Sequence, residues 1–268
     1  MRGFPAFRGL GSGFLEGLYR GVVEPDKVVD EVEVCREDVE RKACEREPIN
    51  HYTDSEYLKE LTDYYYLLSI YYYRRGDFHL SGIALGRALH YVHDSTLVYT
   101  GVGERNVQEE RMREIIGRDV DIGNLCRDTD IELGTKSSNL VEPLCAMYKS
   151  SIDMLRQFIS EVSKTLTSEE IERLKKHRER VAGLSPLWVL AFLTVSLMVL
   201  ASFFILIPFY GALGAVPLVA FIVIIIAFKL HKVKESIVMR ELAKAGIVKP
   251  QTRTKVIEKG SARISPAY

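Results

Sequence analysis

The sequence predicts an all-α protein, a helical front domain followed by a two-helix transmembrane hairpin. Three observations predict it. Apolar residues recur at helical spacing through the front of the chain, and no alternating run is long enough for a sheet. From Val181 to Phe228, 48 residues pass without an Asp, Glu, Lys, Arg or His. Charge is segregated although Lys+Arg and Asp+Glu both total 36. Met1–Lys164 holds 21 basic and 29 acidic residues, Thr165–Phe228 holds 5 and 4, and Lys229–Tyr268 holds 10 and 3. A chain of 268 residues, 47% of them hydrophobic, is neither disordered nor collagen-like, and a mean hydropathy of 0.00 is too polar for a polytopic transporter. These blocks divide the chain into a helical domain at 1–165, a charged linker helix at 166–183, the hairpin at 184–230 and a basic tail at 231–268.

The elements follow in order. Tyr57–Arg75, dense in Leu and Tyr and closed by Gly76, predicts a helix buried on more than one side. Phe78–Val98, Asn106–Gly117 and Asn139–Thr165 predict three more, the last with Leu144, Leu155, Phe158 and Val162 at helical spacing. Gly117–Ser138 lacks periodicity and reads as loop. Thr167-Ser-Glu-Glu170 is a capping box opening a charged helix. One span needs about 20 apolar residues, so the uncharged run holds two, at Leu184–Pro208 and Ala215–Leu230 around a Phe209–Gly214 turn. Val233–Ala245 predicts an amphipathic surface helix with Ile237, Val238 and Leu242 facing lipid, and the polar tail from Val248 predicts poor order.

Lys and Arg flank the hairpin on both sides and the turn carries no charge, so the positive-inside rule puts both termini in the cytoplasm. The first twenty residues show no secretory signal. Cys35, Cys44, Cys126 and Cys145 have no CxxC spacing, and in a reducing cytoplasm they read as free thiols, with Cys145 a core candidate. The acidic front argues against nucleic acid as a partner and leaves membrane lipid.

Candidate chemistry lies in three patches. In "ALGRALHYVHD", His90 and Asp94 stand four apart on one helix face and could share a divalent metal or simply hydrogen bond; His93 could do either nearby. Arg87 on that helix reads as a solvated charge or a phosphate contact. "INHYTD" offers His51, and "GVVEPD", read as loop, offers Asp26. Two nitrogens with two or more oxygens suit zinc. No Walker loop and no Ser-His-Asp pattern is present.

These patches bring a family resemblance. "ALGRALHYVHDSTLV" looks like the "LGxALHYxxD" helix of the zinc-dependent phospholipase C and single-strand nuclease superfamily, all-helical metallo-phosphodiesterases; "NHYTDSEYL" is similar to its "HFYDP" and "GVVEPDK" to its "GxxxPD" segment. The order is the family's, and the likeness covers roughly Gly9 to Glu114. It implies Asp26, His51, His90 and Asp94 as metal ligands, with Asp26 also able to orient the attacking water. The family's N-terminal histidine and its later "PxH" and "HxxxE" histidines are absent, leaving Glu109 or Glu110 as weaker ligands and one zinc position rather than three. The implied activity is hydrolysis of a phospholipid or other phosphodiester at a membrane. The alternative is an inactive membrane-tethered scaffold or binding module with a partial metal site.

Overall fold

The computed structural model describes residues 12–26, 31–38, 41–48, 55–96, 110, 112, 114, 121–127, 141–205, 216–251 and 255–257; the side chains of Asp26, of the strands and of most of 182–221 fall outside that description. The chain forms two units, Met1–Lys164 with Lys249–Tyr268, and Thr165–Val248.

The first unit runs α1 (Ser12–Val23), a single 3-10 turn (Glu24–Asp26), β1 (Glu31–Asp38), β2 (Arg41–Pro48), α2 (Ser55–Arg74), α3 (Phe78–Thr96), α4 (Ile122–Leu125), α5 (Val141–Ser163) and β3 (Lys255–Ile257). Its predominantly helical character is as the sequence predicts. Helix α1 is not: the sequence reading has no helix before Tyr57 and takes "GVVEPD" for loop. Gly13, Gly17 and Gly21 each cost a helix interior up to about 1 kcal/mol, which hides α1 from propensity. Packing overrides that cost. Gly17 and Gly21 meet Gly82 and Gly86 of α3, and each position lacks room for a methyl. A Cβ at Gly82 would lie 2.7 Å from Leu18 N, one at Gly86 2.7 Å from Val22 N, and one at Gly21 2.8 Å from Ile83 C. Two backbones this close gain dispersion contacts along the whole crossing.

Helix α2 ends as Gly76 predicts. Its φ of 83° is the left-handed conformation glycine tolerates. Gly76 N–H donates to Tyr73 O at 3.0 Å and Asp77 N–H to Tyr72 O at 3.0 Å, satisfying the last carbonyls of α2 and turning the chain back into α3. The core gathers Phe14 and Leu18 of α1, Leu61, Tyr65 and Ile70 of α2, Leu85 and Ala88 of α3, and Phe158 of α5. Phe14 stacks on Phe158 at 5.5 Å, and Tyr73 meets Phe158 edge-on at 5.7 Å. Each fully buried Leu, Ile or Phe contributes roughly 1.5–3 kcal/mol.

Four features correct the sequence reading. Among the described residues a three-stranded antiparallel sheet, ordered β2-β1-β3, forms where no sheet is expected. Its signal is the short alternation Glu31-Val-Glu-Val34, under the length that periodicity needs. Strand β3 pairs Lys255–Ile257 with Glu31–Glu33, inside the tail expected to lack order. Cys126 and Cys145 are not free thiols but a disulfide, 19 residues apart in sequence, which joins α5 to the residue that ends α4. Cys145 is fully buried, as a core residue should be. Helix α4 itself interrupts the expected Gly117–Ser138 loop, its N-terminus capped by Asp121 Oδ1 accepting from Gly123 N at 2.9 Å. Of the expected helix Asn106–Gly117, Glu110, Met112 and Glu114 are described and are helical.

The second unit is a helical hairpin of α6 (Ser168–Ile205) and α7 (Val216–Lys244). The capping box forms as the sequence predicts. Thr167 Oγ1 accepts from Glu170 N–H at 3.2 Å while Glu170 Oε2 accepts from Thr167 N–H at 2.8 Å. Those bonds from Thr167 hold the Glu170 carboxyl below its ordinary range. Val181 of α6 packs with Val238 and Leu242 of α7. Val238 and Leu242 therefore face α6 rather than lipid, and Val233–Lys244 continues α7 instead of forming a separate surface helix; Ile237 is exposed. Gly246, at φ 73°, repeats the Gly76 ending, with Ile247 N–H donating to Leu242 O at 3.0 Å. Among the described residues, no helix is long and apolar enough to cross a membrane. The expected Phe209–Gly214 turn lies outside them.

The glycine crossing yields the first prediction. Gly86→Ala, and equally Gly82→Ala, loses roughly 3 kcal/mol of unfolding free energy in denaturant titration, the upper range for overpacking. Gly13→Ala meets nothing within 4 Å and leaves stability unchanged or raised by up to about 1 kcal/mol. Equal effects at all three positions would refute the crossing.

Candidate functional site

The candidate site forms where α1 ends against α3. The close glycine approach brings α3 side chains within reach of α1 carbonyls. His79 Nδ1 lies 3.1 Å from Gly13 O, and His90 Nδ1 lies 3.1 Å from Val22 O. A carbonyl only accepts, so His90 Nδ1 carries the proton it donates to Val22. That leaves Nε2 facing Asp94, whose Oδ2 is 3.2 Å away. Both residues are buried. The i, i+4 spacing read from the sequence thus brings this pair together as expected.

One turn earlier on α3, Arg87 is buried rather than solvated. Its guanidinium donates to Glu24 Oε2 at 2.9 Å and to Tyr65 Oη at 3.0 Å, and it lies 5.4 Å from the Tyr65 ring centre. Arg20 adds a second contact to Glu24 at 3.2 Å. Burial pushes the Glu24 carboxyl up. The hydrogen bonds and positive charges of Arg87 and Arg20 outweigh it and hold the group below its ordinary value. Arg87 thereby ties the 3-10 turn after α1 to α3 and α2, with both terminal guanidinium nitrogens bonded within the protein. The same turn contains the Asp26 backbone.

His93 points elsewhere. Its Nε2 is 2.7 Å from Ser151 Oγ on α5. Ser151 spends its one proton on Met147 O at 2.7 Å, so His93 donates and is the neutral Nε2–H form. Burial, with the neighbouring His90, lowers its pKa to about 4 against the opposing pull of Asp94. His93 is a helix-to-helix strut between α3 and α5.

Of the remaining sequence candidates, Glu110 is exposed, while His51 and Glu109 lie outside the described residues, as does the Asp26 side chain. Among the described residues, no group of three or more His, Cys, Asp or Glu is placed to hold a metal ion. Sequence reasoning missed Glu24 and Ser151 as partners; neither position carries a local signal, because each pairing joins residues 63 and 58 apart. Comparison with protein-family models, with curated proteins and with solved structures finds no match for this chain.

His93 yields a pH prediction. Its folded pKa is below the ordinary 6.5, so the unfolded chain binds the proton first. Its stabilising contribution is complete above 6.5 and is lost as pH falls towards 4. In chelating buffer, the midpoint of thermal unfolding should fall across that window. His93→Gln should flatten the slope, and an unchanged slope would remove His93 as the cause.

Proposed function

We propose that His90 and Asp94 are two ligands of one divalent cation in a membrane-anchored phosphodiesterase. The observation that carries the reading is the pairing of His90 Nε2 with Asp94 Oδ2 at 3.2 Å, with Nδ1 tied to a carbonyl. Two ligands about 2.0–2.1 Å from a tetrahedral zinc stand roughly 3.3 Å apart, a spacing that the 3.2 Å between the two donors matches. Metal-binding imidazoles commonly donate their other N–H to a carbonyl, as His90 does to Val22. The resemblance noted in the sequence adds Asp26 and His51, and Asp26 belongs to the turn that Glu24 and Arg87 hold against α3.

A bound divalent ion lowers the pKa of water towards 7 and screens charge on a phosphoryl group. The chain's own residues do the rest. Val22 O fixes the imidazole tautomer, Arg87 secures the turn through Glu24, and Asp26 is assigned to orient water towards phosphorus. Arg87 is spent on Glu24 and Tyr65, so it is not assigned to phosphate. The net acidity of the front unit disfavours a polyanionic nucleic acid and leaves a phospholipid or lipid-linked phosphodiester as substrate.

A second reading rests on the same distance. The His90–Asp94 contact would be a structural pair closing α3 against the end of α1, and the protein would be a tethered scaffold or binding module. Metal analysis separates the two. Purified full-length protein should carry about one zinc per chain, lost in His90→Ala and Asp94→Ala, with hydrolysis of bis(p-nitrophenyl) phosphate lost in parallel. Folded protein with no metal after zinc reconstitution would overturn the cation site, and zinc without turnover would overturn the hydrolase.

The anchor is the 48-residue uncharged run, entered by α6 and left by α7. Within that run α6 supplies residues 181–205 and α7 residues 216–228, 25 and 13 residues or roughly 38 and 20 Å at 1.5 Å per residue, so the reading rests on the uncharged run as a whole and not on the length of either helix. Leu190 and Leu197 of α6 and Val223 and Ile226 of α7 are exposed, a face suited to lipid. Full-length protein should stay with the membrane pellet after alkaline carbonate washing; release into the supernatant would refute the spans.

A further inference from the structure

We propose that Cys35 and Cys44 form a second disulfide, across β1 and β2, and that the front unit matures where thiols are oxidised. The ladder sets Cys35 directly opposite Cys44. Directly opposed residues of an antiparallel pair have Cα atoms about 4.5 or 5.5 Å apart, depending on their place in the hydrogen-bonding pattern. Both spacings lie within the roughly 4.4–6.8 Å that a disulfide bridges.

The register also says what these cysteines are not. Residues two apart on a strand share a face, so Glu33, Cys35 and Glu37 align opposite Arg46, Cys44 and Lys42. The cysteine pair is thus bracketed by Glu33↔Arg46 on one side and Glu37↔Lys42 on the other. No apolar core residue shares these positions, so hydrophobic burial does not account for two cysteines there. A hairpin this polar has little apolar surface to hold it, and a covalent staple supplies what burial does not. The wider chain agrees. Cys126 and Cys145 are already bonded, and the other two of the four cysteines in the sequence are the opposed pair, with none left over.

Formation is a two-electron exchange. One thiolate attacks a disulfide-form oxidant, a disulfide oxidoreductase or oxidised glutathione, breaking its S–S bond, forming a mixed disulfide and releasing one of the oxidant's sulfurs as thiolate. The second thiolate then displaces the oxidant's other sulfur, so the protein S–S bond forms and the two thiol protons pass to the oxidant, which ends as the oxidoreductase dithiol or as two glutathione thiols. The test counts thiols in full-length protein taken from its native cells with alkylating agent present at lysis. N-ethylmaleimide in denaturant should label none before reduction and four after it, and the unreduced digest should yield a peptide pair linking Cys35 to Cys44. Cys35→Ser should expose one thiol, at Cys44. Two labelled thiols mapping to Cys35 and Cys44 with Cys126–Cys145 intact would overturn the second bridge. Four labelled thiols would overturn the oxidising environment as well.

Discussion

The structure of the front unit depends on how closely two backbones approach. Gly17 and Gly21 on α1 face Gly82 and Gly86 on α3, and no side chain separates the helices at those points. Across this crossing His79 and His90 both reach carbonyls of α1, near opposite ends of the helix, at Gly13 and Val22. The pairing of His90 with Asp94 needs only α3, but the orientation of His90 needs α1.

The approach also settles a charge that would otherwise be costly. A buried guanidinium without a partner is destabilising by several kcal/mol. Arg87 meets Glu24 because α1 ends beside it, and Tyr65 because α2 packs on the other side. Three elements are thereby locked around one cation. Such a group adds less net stability than the same volume of apolar side chains. It does dictate which alignment of α1, α2 and α3 is acceptable, since a shift of one turn would strand both Arg87 and Glu24.

What the sequence discloses follows the range of each interaction. The Thr167–Glu170 box, the Gly76 ending and the His90–Asp94 face are written within five residues, and all appear as read. Helix α1 is hidden because its glycines lower local propensity while serving a distant partner; the signal that could have found it is the matched four-residue spacing, Gly17 to Gly21 and Gly82 to Gly86. Arg87 reads as solvated because its partners lie 22 and 63 residues away. Val238 and Leu242 read as lipid-facing because a helical stripe names a face without naming what covers it. Cys126 and Cys145 read as free because partners 19 residues apart leave no local signal of pairing.

The Cys126–Cys145 bridge bears on where the front unit works. Basic flanks bias the insertion of a hairpin, and the bias acts while the chain is being threaded into the membrane. A disulfide answers to a different quantity, the redox poise around the finished domain. Cys126–Cys145 sits in the same unit as the candidate site, with Cys145 fully buried. A bridge in that position belongs to the folded core and not to a surface pair oxidised by chance. The buried bridge and the flanking charge therefore report on different stages, the finished domain and the insertion of the hairpin.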